Sequence, residues 1–265
     1  MRLNKDNVAD KDKDLALNIR NHLVNGQFVI GNPGLGLKKT LMELENRRDS
    51  RVFANTDWIM KDAQLNARIA MTKAGIEGEE SLCEYLGKLL KYDASLRGIV
   101  AFASLSYEQE NNDKDYIPDT DTLLVYGHNI LIVDAKNLKT KPGHPIMLMD
   151  GSIVDEKGKE IIPVHPSTHI WTKVMQRANI PLDSIDGYVC VVNDNETDII
   201  RNDEWEHSHT KLIHISELHE ILTEWVVGKD NTFYLDMLTE VAKAQIKEEK
   251  SLDLDIDNIK KRFGL

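Results

Sequence analysis

Cysteine is scarce in this sequence. Cys83 and Cys190 are the only two in 265 residues. They fall in a predicted helix and a predicted strand, so they read as buried thiols rather than a disulfide or a metal pair, and a reducing cytoplasmic setting is expected. Long apolar runs are missing too. Nothing approaches membrane-spanning length, and Met1-Arg2-Leu3-Asn4-Lys5-Asp6 carries no signal-peptide hydrophobic region, so no membrane association is expected. Positive charge is in deficit: the formal net charge is −11. That argues against a simple nucleic-acid coating protein but leaves room for a metal-dependent enzyme built on acids. The deficit is uneven. From Lys136 to Arg177 seven basic residues face four acids, a net +3, so the remainder carries −14. Such a patch suits a phosphate backbone or an ordinary solvated loop equally well. Hydrophobic residues make up 41%, enough for one sizeable core with a helical appendage.

What the sequence does contain is concentrated between Pro118 and Asn137, P-D-T-D-T-L-L-V-Y-G-H-N-I-L-I-V-D-A-K-N. Two apolar runs, Leu123–Tyr126 and Ile130–Val133, flank Gly127, His128 and Asn129, which predicts a β-hairpin. Its charges sit at the open end: Asp119 and Asp121 on the way in, Asp134 and Lys136 on the way out. A two-residue turn at Gly127-His128 makes paired residues sum to 255, placing Asp121 opposite Asp134. Their Cβ atoms would then lie about 5 Å apart, a repulsive arrangement that a divalent cation would relieve. A three-residue turn would offset them. Asp134 and Lys136 share a face, because strand side chains alternate.

Asp134-Ala135-Lys136 has the D-x-K form of the PD-(D/E)XK nuclease superfamily, with Asp121 as the preceding acid. The longer pattern of aspartate, apolar run, turn, apolar run and acid-x-Lys-Asn resembles the NERD (nuclease-related) domain. Upstream, Gly75-x-x-Gly78-Glu79 is similar to the G-x-x-G-E of that domain's first helix; downstream, the D-G-Y-V at Asp186–Val189 is similar to a later strand. The resemblance covers about residues 71–222. It implies a restriction-endonuclease-like α/β core, a mixed sheet flanked by helices, and metal-dependent hydrolysis of a phosphodiester. Glu79 (Glu80 as fallback), Asp121, Asp134 and the Ala135 carbonyl would hold Mg²⁺ or Mn²⁺, and Lys136 would complete the catalytic set. DNA is the implied substrate, with RNA an alternative. The chain departs from the family where NERD domains commonly carry N-P-x-x-Q: it has His165-Pro166-Ser167-Thr168-His169. His169 then stands for the glutamine, with Gln176 a possible substitute, and Lys139 and Lys173 are further candidates for substrate contact.

The remaining chain is less specific. Residues 1–70 are expected to form a mainly helical extension, with Leu15, Ile19 and Leu23 on one helical face and Gly26 as a stop. Gly31 and Gly36 have phosphate-loop spacing, but Leu37 stands where that motif needs lysine, and no confident strand precedes it. Helices are expected over Leu37–Arg48, Thr56–Lys73 and Glu77–Leu90. Glu79 falls in the first turn of the last, where the plain expectation is complementation of the helix dipole. A strand is expected over Gly98–Leu105, a loop over Tyr107–Asp115, and an edge hairpin from Met147–Met149 and Ile161–Val164. A helix should then run to about Ala178, with Gly187–Val192 as the last core strand. His207-x-His209 and His214 lack a third ligand nearby, and Asp253-x-Asp255-x-Asp257 lacks the glycine and distal glutamate of a calcium loop. Helices are expected over Leu218–Val227 and Phe233–Lys247. The division is thus an extension (1–70), a nuclease-like domain (71–225) and a helical tail (226–265). Two alternatives to an enzyme follow: an inactive nucleic-acid- or protein-binding module, and a subunit whose helical ends dock a helicase-like partner or a second copy.

Overall fold

Six strands form one mixed sheet in the computed structural model, which describes residues 8–49, 59–106, 119–138, 143–164, 167–193, 197–201 and 210–244, with Leu3 and Asn4. In chain order the elements are β1 (Leu3–Asn4), α1 (Lys13–Val24), β2 (Val29–Ile30), α2 (Leu35–Asp49), α3 (Ile59–Tyr92) and β3 (Val100–Ser106). Then come β4 (Asp119–Tyr126), β5 (Asn129–Lys136), β6 (Ile146–Met149), β7 (Ser152–Asp155), β8 (Glu160–Pro163) and α4 (Thr168–Arg177). β9 (Ser184–Val191), β10 (Thr210–His214), α5 (Leu218–Trp225) and β11 (Phe233–Tyr234) follow, and residues 235–244 are helical. The main sheet runs β10-β9-β5-β4-β3-β2. Only β4 is antiparallel to its neighbours. The carboxyl ends of the other five strands therefore share one edge with the start of β4. In open α/β sheets that edge is where ligand sites gather.

Alternation of apolar side chains along the central strands covers both faces. Leu123, Val125, Ile130 and Ile132 meet α1, α4 and the helical residues 235–244 through Ile19, Leu23, Trp171, Val174, Met237 and Val241. Leu124, Leu131 and Val133 face the other way, onto Leu82, Leu86 and Leu90 of α3 and onto Leu218, Leu222 and Trp225 of α5. Leu82 and Leu86 are wholly buried; each contributes roughly 1.5–3 kcal/mol. The hairpin turn is the two residues Gly127-His128, with Gly127 at φ +59°. The pairs from Tyr126↔Asn129 to Thr122↔Val133 all obey the predicted sum.

Several expectations need correction. The helices expected over Thr56–Lys73 and Glu77–Leu90 are one helix of 34 residues. Glu79 lies in its interior, not its first turn, and the boundary expected at residue 70 falls inside α3. Gly75 and Gly78 do not stop the helix, because each marks a close approach of another element. Gly187–Val192 is not the last core strand, since β10 pairs beside β9 at the sheet's edge. The expected edge hairpin is a three-stranded sheet, β6-β7-β8, with Ser152–Asp155 in the middle. Its Ile146, Leu148 and Ile153 pack on Val189, Val191 and Leu212. The first seventy residues also supply β2, which joins the main sheet beside β3. Phe233 and Tyr234 are not helical but pair with Leu3 and Asn4. Tyr107–Asp115, Lys139, His165, Pro166, Trp205, His207, His209 and the 253–257 aspartates lie outside the described residues. Among the described residues no helix is long and apolar enough to cross a membrane. Cys83 and Cys190 are buried free thiols.

Candidate active site

The open end of the hairpin is where the sheet loses regularity. Pairing of β4 with β5 stops at Thr122↔Val133. Continued by the same register, Ala135 would face Thr120. Instead the Ala135 N–H donates to the Asp121 carboxylate, 2.8 Å away. On the opposite flank, the β3–β4 ladder skips Ser104 opposite Asp121 and resumes at Leu105↔Thr120. Ser104 sits at φ +49°, in the left-handed region. A non-glycine residue there inside a strand is uncommon and marks a local constraint. The splayed strands let Asp121 reach across to β5.

The two aspartates meet as the hairpin register requires. Asp121 hydrogen-bonds the Asp134 side chain, and its pKa stands well above the usual carboxylate range. Burial is the main cause, followed by the charges of Asp134 and Glu79; Lys136 opposes them. Burial beside two other carboxylates disfavours the charged form of Asp121. The Lys136 ammonium forms an ion pair with Asp134. Burial pulls the Lys136 pKa down, but Asp134, Asp121 and Glu79 outweigh it and hold the lysine protonated above its ordinary value. Both partners are mostly covered, with side-chain exposures of 18% and 16%, so this pair is less screened than a surface one.

Glu79 enters from α3, and two close approaches place it. A Cβ on Gly78 would lie 3.1 Å from the Asn137 Cβ and 3.3 Å from Val192 Cγ2, so α3 rests directly on the exits of β5 and β9. Asn137, the last residue of the D-A-K-N run, donates its side-chain amide to the Ala74 carbonyl of α3 at 3.0 Å. Glu79 itself is only 6% exposed. Its Oε2 accepts the Gly34 N–H at 2.8 Å and the Ser104 hydroxyl at 3.1 Å. Ser104 Oγ also accepts the Leu35 N–H at 3.2 Å. Glu79 and Ser104 thus occupy the amino end of α2, where unpaired N–H groups favour an anion. The loop at Gly31–Gly34, which opens the Gly31-to-Gly36 phosphate-loop spacing, does follow a strand and does precede a helix. The anion at that helix start is Glu79.

The remaining candidates divide clearly. Glu80 is exposed and pairs with Lys38 of α2 at 2.8 Å. His169, Lys173 and Gln176 are exposed along one face of α4, opposite buried Ile170, Trp171, Val174 and Met175. Among the described residues no hydrogen bond or ion pair ties them to Asp121, Asp134 or Lys136. The start of α4 is nevertheless anchored beside the site: Trp171 Nε1 donates to Thr120 Oγ1 at 2.9 Å, and that hydroxyl lies 2.6 Å from Ser167 Oγ. His214 is structural. It caps the turn before α5 and bonds the Asn193 carbonyl at 3.0 Å through Nε2. Cys83, beside Thr122 at 3.6 Å, has a thiol that burial pushes up to about 11.

Among the described residues no three acidic, histidine or cysteine side chains stand as a metal-ligand group. The structure brings Asp121, Asp134 and Lys136 into contact, whereas Glu79 reaches this cluster through its charge while its Oε2 is bound elsewhere. The donor chemistry still suits a hard divalent cation: two carboxylates stand side by side at the open end of the hairpin, and a cation would relieve their repulsion. Sequence reasoning missed Ser104 and the Gly34–Leu35 backbone. Only the loop's glycines signalled the latter. The chain matches no family model, no curated protein and no solved structure among those compared.

Proposed function

We propose that this chain is a metal-dependent phosphodiesterase of the restriction-endonuclease-like class, acting on DNA. The observation that carries this reading is the meeting of Asp121 and Asp134 with the Lys136 ammonium at the open end of one hairpin. Asp121 and Asp134 would hold Mg²⁺ or Mn²⁺, with Glu79 contributing from α3 and the Ala135 carbonyl from β5. The bound cation would supply Lewis-acid polarisation of the phosphate and a lowered pKa for water. Lys136, kept protonated by its acidic neighbours, donates hydrogen bonds to the attacking water and offsets charge building on the phosphate oxygens. The Ala135 N–H fixes the Asp121 carboxylate on the β5 side of the cleft. The exposed His169, Lys173 and Gln176 face of α4 suits contact with the nucleic-acid backbone.

The test is cleavage of supercoiled plasmid and single-stranded circular DNA with Mg²⁺, with Mn²⁺ and with chelator, alongside Lys136→Ala. Metal-dependent cutting, lost by at least about a hundredfold in the variant, is expected. Cutting that survives in Lys136→Ala overturns the assignment of Lys136. One observation favours a second reading, an inactive binding module: Glu79 Oε2 is committed to the α2 start and Ser104. A folded protein that neither cuts nor binds Mn²⁺ would decide for that module.

A further inference from the structure

We propose that Ser104 is a positioning residue for Glu79, and that the start of α2 thereby forms part of the metal site. This rests on the metal-site reading given above. Two donors converge on the same carboxylate oxygen, and one of them comes from a residue out of strand conformation. Ser104 departs from the strand conformation around it, at φ +49°. That departure breaks the β3–β4 ladder opposite Asp121. It also turns the hydroxyl to donate to Glu79 Oε2 while accepting the Leu35 N–H. The Gly34 N–H takes the same oxygen. Both residues are buried, at 6% and 7% exposure, so the bonds are not exchanged for water.

The consequence is a carboxylate with one oxygen tethered and a charge that Asp121 and Lys136 both feel. A side chain held this way cannot swing along α3 toward solvent. A ligand that must meet two aspartates on another element gains from such a restraint, because an unrestrained glutamate would lose rotamer freedom on each binding event. The tether also explains why an interrupted strand is retained beside the site. Without Ser104 in this conformation, Glu79 Oε2 would lose the hydroxyl while keeping the Gly34 N–H.

The experiment is Mn²⁺ binding by isothermal titration calorimetry on the full chain, compared for wild type, Ser104→Ala, Ser104→Gly, Glu79→Gln and the Ser104→Ala/Glu79→Gln double variant. Alanine removes only the hydroxyl; glycine also relieves the left-handed backbone and carries the test should alanine not fold. Both are expected to bind Mn²⁺ about tenfold more weakly, the usual scale for loss of a group that orients a ligand. Their circular-dichroism spectra should be unchanged, and the Mn²⁺ needed for half-maximal cleavage should rise. In the Glu79→Gln background the Ser104 substitution should have no additional effect on affinity, since the two act through one interaction. Wild-type affinity in the Ser104 variants, or losses that add in the double variant, would overturn the proposal. Failure of the metal-site reading itself shows separately, as absence of Mn²⁺ binding by the wild type.

Discussion

The Asp121 carboxylate takes the Ala135 N–H, a backbone donor that the regular hairpin would have paired with β4. A side chain standing in for a ladder partner brings its charge inside the sheet's edge, directly onto Asp134. The cost of that placement is visible in the raised pKa of Asp121. A fold that needed only a hairpin would end it with a neutral pair, and like charges across a hairpin are destabilising.

The raised pKa of Asp121 gives stability a defined pH dependence without metal. In the unfolded chain the carboxyl titrates near 3.9. Because the folded value is higher, the contribution of Asp121 is fully present below the unfolded pKa and is lost as pH rises through the folded one. Asp121→Asn mimics the protonated form: it can accept the Ala135 N–H and donate to Asp134. In chelator the variant should melt with the wild type near pH 4 and above it at pH 8. Each kcal/mol of difference would appear as roughly 2–4 °C. A variant melting below the wild type at pH 8 would contradict the raised pKa of Asp121.

A cation that binds Asp121 must displace the proton that its raised pKa favours. Mn²⁺ affinity should therefore rise with pH until Asp121 is ionised in the free protein, then level off. Calorimetric titrations in two buffers of different ionisation enthalpy should show up to about one proton released per ion at the acidic end, falling toward none above that point. Affinity independent of pH between about 5 and 8, with no buffer dependence, would mean that the pair is not the ligand set.

The hairpin was legible because its physics is local. Gly127-His128 between β-branched runs admits a two-residue turn, and the turn then dictates every pair back to Thr122↔Val133. The contacts that give the cluster its form were not local. The left-handed conformation of Ser104 is set by a glutamate 25 residues before it and a helix start 69 residues before it. Nothing in V-A-F-A-S-L-S marks the fifth position from its neighbours in that way. β10 was hidden for a related reason: Thr210–His214 is a short edge strand whose histidine drew attention as a ligand, whereas it serves as a cap. The continuity of α3 was obscured by Gly75 and Gly78, which read as a helix start although both mark close packing.

Those two glycines should respond oppositely to alanine. In a helix interior, Gly→Ala stabilises by up to about 1 kcal/mol when space allows. At Gly75 the new Cβ would meet Leu37 Cδ1 at 2.7 Å. That atom is the far end of a flexible side chain in α2 and can turn aside, so Gly75→Ala should be near neutral or mildly stabilising. At Gly78 the contacts are the Asn137 Cβ at 3.1 Å, Val192 Cγ2 at 3.3 Å and the Asn137 backbone nitrogen at 3.5 Å. These are stem and backbone atoms at the ends of β5 and β9, and they move only if α3 or the sheet edge moves. Overpacking of this kind costs about 1–3 kcal/mol, which exceeds the helical gain. The displacement also falls one residue from Glu79, so Gly78→Ala should both lower the melting temperature and weaken Mn²⁺ binding. Gly75→Ala should leave Mn²⁺ binding unchanged. Equal stability and equal Mn²⁺ affinity in the two variants would show that α3 does not depend on the Gly78 contact to bring Glu79 to the hairpin.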